Sequence, residues 1–197
     1  MTVTLKPRVP VRRAYADGRF GQIHYRIATP PPSAGTTTGA SHRPLLCLHM
    51  SPNSGRIYQR FVAAIGVDRV AVAPDTPGFG ESDPPSRPPS IEDYAGAMGD
   101  LIDALGFGEI DVMGYHTGSE TCTALALARP NQVRRLVLVS APIFTAEELV
   151  QFRSHYAPLP LDPEGGHLVR RWKGQLSWAG PGKTMDCLLY TSPSPRD

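Results

Sequence analysis

The residues best suited to chemistry in this sequence form the pentad Gly114-Tyr115-His116-Thr117-Gly118. It follows the apolar run Ile110-Asp111-Val112-Met113 and opens a helical pattern from about Gly118 to Ala128 that stops before Pro130. A strand that turns directly into a helix strains its central residue, and flanking glycines let the neighbouring backbone come close. The strain lifts the central side chain above the sheet. An imidazole there can take or give a proton near neutral pH, or attack a substrate carbon, although an acyl-imidazole is labile. The opposite reading is a turn without chemistry, which binds a small molecule or does nothing. Ser119 and Cys122 are alternative nucleophiles, but their places within the helix favour packing. Tyr115 offers a hydroxyl or fills space beneath the loop.

Two other segments follow apolar runs. Leu48-His49-Met50-Ser51-Pro52 ends the run that begins at Pro44, and Asp75-Thr76-Pro77-Gly78-Phe79-Gly80-Glu81-Ser82-Asp83 follows Val70-Ala71-Val72-Ala73-Pro74. In the second, Gly78 and Gly80 permit a turn, Asp75 can accept backbone N–H bonds, and Ser82 and Asp83 can tie the loop down. These residues read as scaffold.

The runs at 44–49, 70–74, 110–114 and 133–140 are continuous, which predicts strands buried on both faces. Helical patterns separate them. Tyr58, Phe61, Val62 and Ile65 share one face. Ser90 and Asp93 form a capping box before the stripe Ile91, Tyr94, Ala95, Met98, Leu101, Ile102 and Leu105, which Gly106 ends. Thr145-Ala146-Glu147-Glu148 has the spacing of another capping box. Strands alternating with helices predict an α/β fold with a mainly parallel sheet and helices on both faces. Such sheets place their sites at the carboxyl ends of the strands, here at His49, Asp75 and Gly114. Upstream, 12–16 and 22–28 read as a hairpin around Asp17-Gly18. There Ile23, Tyr25 and Ile27 alternate with Gln22, His24 and Arg26, so His24 is expected on an exposed face. Residues 29–43, rich in Pro, Ser, Thr and Gly, read as a surface linker.

In order and spacing, the three segments resemble the α/β-hydrolase superfamily over roughly Arg12 to Arg153. They match its His-Gly-x-Pro loop, its Asp-x-Pro-Gly-x-Gly-x-Ser loop and its nucleophile elbow. The resemblance implies a hydrolase acting on a small organic molecule of the ester, lactone, epoxide or halide class, without a cofactor. It also implies an oxyanion hole formed by the Thr117 and Met50 N–H groups, a structural His49, and support from Tyr115, Gly114 and Gly118. The departure is His116, where the family has Ser, Asp or Cys. The family's acid and base follow later strands. Glu147 and Glu148 lie near a position some relatives use for the acid, but helix capping is the expected role. His155 and His167 fall in the region that resembles the start of the family's cap, with Trp172 and Trp178 as apolar anchors.

Composition agrees with this class. The chain has 197 residues, 41% hydrophobic and 19% charged, with a net charge of +2. That charge is too small to point to nucleic acid or a membrane surface, so a small-molecule partner is expected. Cys47, Cys122 and Cys187 are too few and too scattered for a disulfide framework or a zinc site. With no signal or membrane span apparent, a cytoplasmic location is expected, with no metal or cofactor. The expected organisation is a core over 1–144, the start of a cap over 145–186, and a non-native tail over 187–197 that resembles translated adaptor sequence. A truncated, inactive chain with an uncovered sheet edge and poor solubility is therefore expected.

Overall fold

Alternating apolar residues and the turn that follows Asp17-Gly18 produce the hairpin. In the computed structural model, which describes residues 8–31, 42–155 and 160–178, β1 (Arg12–Gly18) pairs antiparallel with β2 (Gly21–Ala28). Gly18 lies opposite Gly21, so Arg19 and Phe20 make the turn. Arg19 is then latched to the next layer: its guanidinium donates to both carboxylate oxygens of Asp100, at 2.8 and 2.9 Å. Part of the 29–43 linker and the whole 187–197 tail lie outside the described residues.

The remaining elements follow the apolar runs. They are β3 (Leu45–Leu48), α1 (Gln59–Ile65) after a tight turn, β4 (Ala71–Pro74), α2 (Ile91–Ala104), β5 (Ile110–Tyr115), α3 (Thr117–Ala128) and β6 (Val133–Val139). The strands lie in the order β1-β2-β4-β3-β5-β6. The β4–β3, β3–β5 and β5–β6 pairs are parallel, whereas β2 meets β4 antiparallel. Strand period explains the layers. Leu46, Leu48 and Val72 pack with Met98, Leu101 and Ile102 of α2 and Cys122 and Leu125 of α3. The alternate residues Leu45, Cys47, Ala71 and Ala73 pack with Tyr58 and Val62. Helices thus cover both faces of a mainly parallel sheet, as the sequence predicts.

The Ser90 capping box forms: the Ser90 hydroxyl accepts from the Asp93 N–H at 3.2 Å, and Asp93 accepts from the Ser90 N–H at 2.9 Å. The Arg87 side chain, then the Ser90 N–H, hold the Asp93 carboxyl below the ordinary carboxylate range. Phe61 departs from the expected buried face and is exposed, because the short α1 turns only Tyr58 and Val62 fully inward. His24 is a larger correction. It is completely buried, because β2 is an inner strand and both of its faces are covered.

β6 also departs from expectation. Leu136 to Val139 are between 39% and 48% exposed, because β6 pairs only with β5 in the described sheet. The contacts divide the chain into Met1–Pro142 and Ile143–Asp197. The second unit contains α4 (Ala146–His155) and α5 (Gly166–Trp178). No helix among the described residues is long and apolar enough to cross a membrane.

An unpaired apolar edge is a template for association. The protein is expected to self-associate as its concentration rises, and Val137→Lys to shift it toward monomer without lowering its unfolding midpoint. Analytical ultracentrifugation with urea unfolding checks both outcomes.

Candidate active site

Three strand ends lie side by side. β4, β3 and β5 are adjacent and parallel, so the loops that begin at Asp75, His49 and His116 leave the same rim of the sheet. At the β5 end, His116 has φ 53° and ψ −118°, a backbone geometry that costs a residue with a side chain on the order of 1–3 kcal/mol. Three hydrogen bonds hold it there. The His116 N–H donates to Val139 O at 2.9 Å, the Ser119 N–H donates to His116 O at 2.7 Å, and the Ser119 hydroxyl donates to Gly114 O at 2.8 Å. The flanking glycines are required by close approach. A Cβ on Gly114 would lie 2.5 Å from Ser119 N, and one on Gly118 would lie 2.7 Å from Leu48 C and 2.9 Å from His49 O. The first turn of α3 is thereby pressed onto the end of β3.

His116 is half-buried, and its Nδ1 lies 3.5 Å from Thr117 Oγ1, the outer limit of hydrogen bonding. Thr117 is the first residue of α3, so its N–H has no carbonyl one turn earlier. The packing of Gly118 on Leu48 and His49 brings this helix end to the loop that carries Met50. Tyr115 is half-buried at the end of β5. Two groups nearby were not legible as site residues. Glu120, in the first turn of α3, is half-buried. Ser140, with φ 50°, leaves β6 beside the turn, and no sequence pattern marks it.

In the other two loops, His49 and Asp75 are held by hydrogen bonds within the fold. His49 is buried and bonds on both sides. Its Nε2 accepts the Thr76 N–H at 3.0 Å, which leaves Nδ1 to donate to Met50 O at 2.9 Å. Burial pushes its pKa down, against the pull of Met50 and Asp75, so the ring stays neutral. Asp75 is buried and receives four donors. Oδ1 accepts from the Gly55 N–H at 2.7 Å and from Arg26 Nη1 at 3.3 Å; Oδ2 accepts from the Glu81 N–H at 3.0 Å and from His24 Nδ1 at 2.9 Å. Burial pushes the Asp75 carboxyl up, but the His24, Glu81 and Gly55 hydrogen bonds outweigh it and hold the group below the ordinary carboxylate range. Ser82 and Asp83 do tie the loop down. The Ser82 hydroxyl donates to Asp75 O at 2.7 Å, and Asp83 accepts the Gln22 N–H at 2.8 Å.

The remaining candidates are engaged elsewhere. Ser119 spends its proton on backbone carbonyls. Burial pushes the Cys47 thiol up to about 12 and the Cys122 thiol higher still, so neither is a thiolate near neutral pH. Glu148 and Thr145 form the expected reciprocal cap at 2.8 and 3.2 Å, while Glu147 lies in the first turn of α4. His167 Nδ1 accepts the Asp162 N–H at 3.0 Å. His155 ends α4 and Trp172 of α5 is half-buried; the side chains of His155 and Trp178 lie outside the described residues. Among the described residues, no group of three or more His, Cys, Asp or Glu is placed to hold a metal ion. A hollow of about 360 Å³ lies against the Asp75 loop, lined by Phe79, Pro85, Arg87 and Tyr94 among others, and not by His116.

This sheet order, with a strained strand-to-helix turn at the end of β5, defines a protein of the α/β-hydrolase class. The family model for the alpha/beta hydrolase fold matches residues 43–178, and the chain belongs to that family. It is 30% identical to haloalkane dehalogenase 2 of Mycobacterium tuberculosis over 141 residues, which cover 71% of this chain and 46% of that protein. It is 34% identical to lipase LipV of Mycobacterium tuberculosis over 99 residues, 50% of this chain and 37% of that one. The chain thus spans less than half the length of these curated relatives. The crystal structure of an epoxide hydrolase from Vigna radiata shares the fold, with a TM-score of 0.67 and 18% identity over 91% of this chain and 65% of that one.

Two substitutions test the scaffold. Asp75→Asn leaves the Arg26 guanidinium buried without its counter-charge and is expected to lower stability by about 3–5 kcal/mol in urea unfolding. His49 stays neutral in the fold, whereas an imidazole in the unfolded chain takes a proton below about pH 6.5. The unfolded state then binds more protons, so stability falls as pH drops below that value. His49→Gln is expected to flatten this part of the stability–pH curve.

Proposed function

We propose that the protein is a hydrolase of small organic substrates of the ester, lactone, epoxide or halide class, with His116 as the working side chain of the elbow. The single observation that carries the reading is the strained backbone at His116, retained with both close-packed glycines and three hydrogen bonds although the residue is not a usual nucleophile. Strain of this kind persists where the surroundings over-determine it, and it clusters at working sites. In this reading Met50 and Thr117 supply backbone N–H donors to a developing oxyanion. His49, Tyr115, Gly114 and Gly118 shape the turn. The neutral imidazole either attacks the substrate or takes a proton from the attacking water. The relatives named for dehalogenation and lipid hydrolysis, and the epoxide hydrolase that shares the fold, support the range of substrates.

The test is turnover of a panel of p-nitrophenyl esters, lactones, epoxides and haloalkanes. His116→Ala is expected to lower kcat/KM at least about 100-fold at unchanged stability. Equal turnover by the two proteins removes His116 from the mechanism. Saturable binding of a panel member with no turnover by either supports a ligand-binding role instead.

A further inference from the structure

The helix α5 carries charge of one sign only. Arg170, Arg171 and Lys173 are exposed, and the sequence from Gly166 to Trp178 contains no Asp or Glu. Of the two acids just before it, Asp162 is half-buried and committed to the start of the helix. Its Oδ2 accepts the Gly166 N–H and its Oδ1 the Glu164 N–H, both at 3.0 Å. Glu164 is exposed but lies outside the helix. The net charge of the whole chain, +2, conceals this local excess.

The apolar residues of α5 are also confined to one side. At about 3.6 residues per turn, Leu168, Trp172 and Val169 fall within an arc of about 100°. Arg171 and Lys173 stand beside the two edges of that arc, and Arg170 lies on the far side. Leu168 and Val169 are 64% and 53% exposed, so this part of the arc is not spent on a core. The 13 residues of the helix span about 20 Å, and no helix among the described residues is long and apolar enough to cross a membrane.

We propose that α5 is a docking surface for an anionic lipid bilayer. It lies in the headgroup plane, with Leu168 and Val169 at the acyl boundary and Arg171 and Lys173 reaching up to the phosphates along their apolar stems. A short helix with an apolar arc edged by cations matches that boundary, where an apolar phase meets negative charge. Nucleic acid would match the cations but offers no apolar phase to Leu168 and Val169. Docking in this way requires nothing of His116.

The experiment mixes the full chain with vesicles of equal parts phosphatidylglycerol and phosphatidylcholine, and with vesicles of phosphatidylcholine alone. Both tryptophans of the chain, Trp172 and Trp178, belong to α5, so their emission reports on this helix. A blue shift and co-sedimentation are expected with the mixed vesicles, weakening as salt rises. Sedimentation without vesicles is the blank for self-association through β6. Arg171→Gln and Lys173→Gln are each expected to weaken partitioning about fivefold. Leu168→Gln combined with Val169→Gln is expected to remove the blue shift at an unchanged unfolding midpoint. Equal binding to both kinds of vesicle, or binding that survives the paired Leu168 and Val169 change, overturns the assignment. A shift with polyglutamate and none with the mixed vesicles marks an acidic protein as the partner and overturns it as well.

Discussion

One buried carboxylate ties the outer part of the fold to the part that forms the site. Asp75 collects donors from three stretches of chain: His24 and Arg26 on β2, Gly55 after β3, and Glu81 in its own loop. Burying an anion is costly, and four donors, the Arg26 guanidinium among them, offset that cost. Even so, His24 Nε2 and Arg26 Nε remain without hydrogen-bond partners. These polar groups would be liabilities in a half-buried strand; here they make the antiparallel join between β2 and β4 specific.

The constraint passes to the rim of the sheet through neighbouring backbone. Asp75 fixes the start of its loop, Thr76 then meets His49, and His49 orients the loop at the end of β3. That loop packs against the Gly118 backbone, so the elbow at His116 rests on it. The architecture of the turn at His116 therefore rests on buried packing and hydrogen bonds in the neighbouring loops. Such support explains how the shape persists when the central residue changes.

Members of one fold family can differ in chemistry because function resides in the site and not in the sheet. This chain shares a family with proteins named as a haloalkane dehalogenase and a lipase. In this chain the strained turn after β5 carries an imidazole. Histidine titrates near neutral pH and takes part in both nucleophilic and proton-transfer chemistry, so its partner groups determine its role. On α3, Thr117 Oγ1 lies 3.5 Å from the His116 Nδ1.

The sequence by itself determined the layer order, the three rim segments and the elbow. These follow from local causes: apolar runs of strand length, capping pairs such as Ser90 with Asp93, and glycines around one residue. The tertiary structure alone decided the rest. Gln22, His24 and Arg26 alternate with apolar residues as in a surface strand, yet β2 is an inner strand and Asp75 meets His24 from a loop fifty-one residues away. Leu136 to Val139 read as a strand buried on both faces, but exposure depends on what pairs beside β6, which periodicity does not encode. Patterns along the chain specify elements, because elements are held by near neighbours; partners that meet across the fold are set only when those elements pack.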